Sequence, residues 1–127
     1  MTVPDWIAAA VRDFGRGARV GDLALSALGT ASLRFGNGFS LRFEYGEGGL
    51  AVSVLVPSAD NPGTAARMLS YAHPDARYGV AVRAGYLAKP ACAVFAVIIA
   101  AQDVTLPVLN AAFDVLWRVA SEFGGAS

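Results

Sequence analysis

The sequence has one cysteine, one histidine and one lysine in 127 residues, and each scarcity closes a route to function. Cys92 and His73 alone cannot build a disulfide framework or a zinc cluster. They are also the sole thiol–imidazole couple on which nucleophilic catalysis could rest. Cys92 opens a hydrophobic strand, where a buried structural thiol is the ordinary occupant. His73 stands before Pro74 and reads as the end of a helix. Carboxylates fall singly along the chain, so neither a paired acid–base site nor a metal site is expected. The Gly15–Gly21 segment follows a helix rather than a strand and lacks Walker spacing, which leaves its glycines as turn residues. No catalytic residue, cofactor site or metal site is expected, and the chain reads as a non-enzyme.

Charge is also scarce, at 16% of residues, with ten basic and ten acidic side chains and a net charge of zero. Nothing in that balance favours nucleic acid or an anionic membrane. The longest apolar run, Ala91 to Ala101, has eleven residues, against the roughly 20 that a membrane-spanning helix needs. The N-terminus has Asp5, Trp6 and then Arg12 and Asp13, without the basic-then-apolar layout of a signal peptide. The expectation is a bacterial cytoplasmic protein with no membrane insertion.

What the sequence has in plenty is apolar side chains, 55% of residues with a mean hydropathy of +0.48. An excess of this size points to a permanent partner. Its distribution is periodic. Trp6, Ile7, Ala10, Val11 and Phe14 share one face of an N-terminal helix that Gly15 and Gly17 stop. Ala31-Leu33-Phe35, Phe39-Leu41-Phe43-Tyr45 and Leu50-Val52-Val54-Val56 alternate with the period of strands, and the turns between them are short and glycine-rich. Asp60 or Asn61 caps a second helix with Pro62 in its first turn. Strands at about 78–87 and 92–100 follow, the second apolar on both faces and therefore central and covered on each side. Thr105 caps a final helix with two apolar stripes. Leu109, Phe113 and Leu116 are expected on the sheet, with Val108, Val115 and Val119 under the first helix. Asp114 and Arg118 are spaced for an i,i+4 pair. The order α-β-β-β-α-β-β-α, without repeat or linker, describes one α+β domain over residues 1–127, an antiparallel sheet with helices packed on it.

Val82-Arg-Ala-Gly-Tyr-Leu87, the small and apolar strand after it, and Leu106-Pro-Val-Leu-Asn-Ala-Ala-Phe113 together resemble the class I type III secretion chaperones, the CesT/SycN-like family. Asp5-Trp-Ile7 with Phe14 is similar too, and the likeness is strongest from Gly38 to Phe123. The resemblance implies a chaperone without enzymatic activity or cofactor. Such a chaperone holds the N-terminal region of a secreted effector or gatekeeper protein extended on its surface and keeps it competent for export. It implies a homodimer, or a heterodimer with a second small chaperone. The interface is then expected at Met68, Leu69, Tyr71 and Ala72 with Tyr78, Val80 and Val82. The client-binding face is expected at Arg34 and Arg42 with Leu33 and Phe35. The alternative reading is a small-ligand-binding or structural α+β subunit of a larger complex, with a cleft around His73, Arg83 and Tyr86.

Overall fold

A computed structural model describes residues 2–19, 23–58, 62–71, 82–89 and 91–125. The chain runs α1 (Asp5–Gly17), β1 (Thr30–Arg34), β2 (Ser40–Gly46), β3 (Gly49–Pro57), α2 (Pro62–Tyr71), β4 (Arg83–Leu87), β5 (Cys92–Ile99), a single 3-10 turn (Ala101–Asp103) and α3 (Leu106–Gly125). The five strands form one antiparallel sheet in the order β1-β2-β3-β5-β4. The expected element order holds.

Period-two alternation decides which side chains meet the helices. Leu41 and Phe43 of β2, Val52 and Val54 of β3, and Phe95 and Val97 of β5 point to one face and are buried. α3 lies across β3 and β5 on that face, and Leu109, Leu116 and Ala120 are fully enclosed. Burying one such Leu or Phe contributes about 1.5–3 kcal/mol. The Thr105 hydroxyl accepts from the Val108 amide at 3.3 Å and caps the helix as expected.

α1 presents Ile7, Ala10, Val11 and Phe14 to the core. Phe14 meets Phe43 at 5.6 Å and Phe113 at 5.4 Å, both edge-on. α1 therefore covers the β2 side of α3 and the Phe113 flank, not the Val108 stripe assigned to it above. Val108 lies on the other flank, beside Arg83 and Val97. The two flanks of α3 diverge because residues five apart on a helix, such as 108 and 113, point about 140° apart. α2 covers β4 and the end of α3. Tyr71 packs edge-on against Phe95 and Phe123, and the Arg67 guanidinium sits 4.4 Å above the Phe123 ring while donating to the Phe123 carbonyl.

Among the described residues, no helix lies on the other face of the sheet, although Ser53, Leu55 and Cys92 are buried there. β5 is central, but it is covered by helices on one side alone. On the opposite side Val94 and Ala96 are half-buried and Ile98 is 43% exposed. The Asp114–Arg118 pair is not formed. The ion pair present among the described residues is Arg16 with Asp13 at 3.8 Å, on the surface.

Candidate functional site

The four residues expected on a client-binding face do not share one. In β1, Ser32 and Arg34 stand opposite Arg42 and Ser40 of β2 on the helix-free face. Leu33 pairs with Leu41 and points with it to the helix side, where Phe35 also lies. Adjacent strand residues alternate sides, so no straight strand can bring Leu33 and Arg34 to one face. The sheet turns this set into two surfaces.

The helix-side surface is aromatic. Asn37 Oδ1 accepts from the Phe39 amide at 2.9 Å, and the Phe35 amide donates to the Phe39 carbonyl at 2.8 Å. This tight turn brings Phe35 and Phe39 up against α3. Trp117 lies 4.8 Å from Phe35, 5.3 Å from Phe39 and 5.6 Å from Phe113. All four rings are half-buried, and through Phe113 the row continues to the buried Phe14. It borders β1, which among the described residues pairs as a strand with β2 alone; Ser26 already binds the outer amide and carbonyl of Thr30, so Ser32 and Arg34 are the outer positions left. Such an edge offers main-chain donors and acceptors to an added strand, and the rings beside it offer apolar contact. Sequence reading assigned Phe35 to the site and missed Phe39, Phe113 and Trp117. The short Gly36-Asn37-Gly38 turn was the available signal, because it places Phe35 and Phe39 side by side.

The helix-free surface carries Arg34 and Arg42, both exposed. A depression of about 250 Å³ beside Arg34 is lined by Ser40, Leu55, Pro57 and Cys92. Burial pushes the Cys92 thiol up from its ordinary value, and the charge of Arg42 pulls the other way. A protonated, enclosed thiol of this kind is a poor nucleophile. Arg83 and Tyr86 point to opposite faces of β4, so they cannot line one cleft. Tyr86 instead donates to the Ser58 carbonyl at 3.0 Å. His73 lies outside the described residues.

The expected dimer residues divide as well. Met68 is 7% and Val82 4% exposed, so both are enclosed by their own chain and act as core. Tyr71 is half-buried against Phe95 and Phe123. Ala72, Tyr78, Val80 and the side chain of Leu69 lie outside the described residues. Among those described, no three or more His, Cys, Asp or Glu residues gather as a metal site would require, and no helix is long and apolar enough to cross a membrane.

Known structures share the architecture. The HopA1–SchA chaperone–effector complex contains a chain that superposes with a TM-score of 0.68 at 20% identity, over 92% of this chain and 91% of that one. A chain of the ExsC–ExsE complex gives 0.78 at 19% identity, over 98% and 95%. The Yersinia pestis type III secretion chaperone SycH, solved with a fragment of YscM2, gives 0.70 at 12% identity, over 92% and 98%. No curated sequence matches. At these identities the superpositions establish the fold. Residues 6–124, from Trp6 in α1 to Gly124 in α3, match the family described as type III secretory system chaperone SycN. With that match over nearly its whole length, the chain belongs to the SycN family of type III secretion chaperones.

Proposed function

We propose that this chain binds the N-terminal region of a secreted effector or gatekeeper protein in the bacterial cytoplasm and keeps it export-competent, without catalysis. The observation that carries the reading is the half-buried aromatic row of Phe35, Phe39, Phe113 and Trp117 beside the open edge of β1. An extended segment that pairs with β1 places alternate side chains against those rings, so it is held by main-chain bonds and apolar anchors together. SchA, a structural relative, was solved bound to the effector HopA1, which supports the same use of the fold here. The chain acts as a dimer, with itself or with a second small chaperone, through α2 and the residues that follow it. Tyr71 is the described contributor, and Leu69, Ala72, Tyr78 and Val80 are expected beside it from the sequence alone.

The test is capture from the native host. Tagged protein should co-purify with a secreted protein, identified by mass spectrometry, and truncation of that protein should map binding to its N-terminal region. Trp117→Ala should weaken capture at least tenfold with the fold intact by circular dichroism. Capture of nothing secreted, or undiminished capture by Trp117→Ala, would remove the reading.

A further inference from the structure

The strand register lays out the helix-free face row by row. One row runs Ser32, Arg42, Ser53, Ala96 and Arg83 across the sheet, and the next runs Arg34, Ser40, Leu55, Val94 and Gly85. Small and aliphatic side chains thus form a floor at the centre, with Ser53 and Leu55 buried in it and Val94 and Ala96 half-buried, and arginines stand around it. Among the described residues this face holds three arginines and one carboxylate, Glu44 on β2. Arg83 shares its depression with Asp103 at the far edge and Arg42 shares one with Glu44, but it is Arg34 and Arg42 that flank the floor. Neither forms an ion pair, although Glu44 is two residues from Arg42 on the same side of β2. The chain as a whole has no net charge, so this basic face is local, matched by carboxylates elsewhere.

We infer that the helix-free face is a second docking surface, for an acidic, aliphatic segment of the client. The inference rests on the reading of the chain as a client-binding chaperone and adds the chemistry of what it holds. Two unpaired guanidiniums beside an apolar floor match carboxylates on aliphatic stems. Each carboxylate forks onto an arginine while neighbouring aliphatic side chains cover the half-buried Val94 and Ala96. A nucleic acid matches less well, because its bases stack on aromatic rings and the described residues of this face include none. Glu44 repels acid at the Thr30 end of the hairpin, so the carboxylates settle at the Arg34 end, beside the 250 Å³ depression.

The test uses three blocked eight-residue peptides, alternating Glu and Val, Gln and Val, or Lys and Val, titrated into the full chain and followed by amide NMR. The Glu peptide should shift residues 32–34, 40–42, 53–55 and 94–96. It should bind roughly tenfold more tightly than the Gln peptide in 50 mM salt, with most of that advantage lost at 0.5 M. Arg34→Gln with Arg42→Gln, both at exposed positions, should abolish the advantage. Equal affinity for the three peptides, or no shifts on this face, overturns the inference. Shifts that depend on protein concentration without peptide also overturn it, because a second chaperone chain then covers the face. Trp117→Ala keeps the two readings apart. It should weaken client capture and leave the Glu-peptide titration unchanged.

Discussion

Replacing Gly49 by alanine, with Gly38→Ala as its control, separates backbone strain from collision. Both glycines have positive φ, +92° at Gly38 and +113° at Gly49. In that region an L-residue costs about 1–2 kcal/mol. At Gly38 an added Cβ meets nothing nearer than Pro57 Cγ at 3.7 Å, an ordinary contact, so strain is the whole penalty. At Gly49 the same Cβ would stand 2.1 Å from the Ile99 carbonyl oxygen and 3.0 Å from Ala100 Cα. These are backbone atoms, and no rotamer relieves them. The end of the β3–β5 ladder, where Leu50 faces Ile99, must open. Two ladder bonds lost at about 0.5–1.5 kcal/mol each add about 1–3 kcal/mol to the strain. Gly49→Ala should therefore cost about 2–5 kcal/mol, a large part of the 5–15 kcal/mol that holds an ordinary domain together. Urea unfolding followed by circular dichroism, with equal slopes for both variants, gives the comparison. A Gly49→Ala variant no less stable than Gly38→Ala would refute the collision argument.

Trp117→Ala removes three ring contacts and should cost about 2–4 kcal/mol, while Trp117→Phe should recover at least half, as read by thermal unfolding. Met68→Glu forces a charge into a site that its own chain encloses, so it should unfold the protein and not merely loosen a dimer, which the loss of amide dispersion would report. Burial raises the Cys92 thiol, so its stabilising share is fully present below the unfolded thiol's value near about 8.5 and fades as pH rises through the higher folded value. Wild type should accordingly lose more stability than Cys92→Ala in that alkaline range, measured by urea midpoints at a series of pH values.

The strands were legible because each carries a strict period of two bounded by glycine turns, and β1, β2 and β3 fall within a residue or two of the expected limits. α3 was legible from its length, its Thr105 cap and its two stripes. What lay against those stripes was not, because periodicity says which residues share a face and is silent on the neighbour. Phe14 meets Phe113, a residue assigned to the sheet-facing stripe, for that reason. The expected client-binding set is a different case. Arg34 and Arg42 stand on one face of the pleat and Leu33 and Phe35 on the other, a division that the period of two already implies. The aromatic row needs Trp117, contributed from more than seventy residues away, and no local pattern reports such a meeting. Met68 shows the limit for single side chains, since a half-apolar helix can turn a methionine inward or outward with the same sequence.

The Trp6 indole donates to the Ala101 carbonyl at 3.1 Å across 95 residues of chain, even though the side chain is 55% exposed. Together with Phe14 against Phe113, this bond fixes a temporal order. α1 leaves the ribosome before Ala101 and α3 are made. At about 5–20 residues per second, α1 waits on the order of 5–20 s for the surface that receives it. During that interval Phe14 can meet Phe43 of β2 but not Phe113, and the α3 side of α1 has no permanent cover. Docking of α1 is thus the step that completes the protein. A chaperone built this way spends its own synthesis with a partly uncovered apolar N-terminal segment, the same condition it is proposed to relieve in its client.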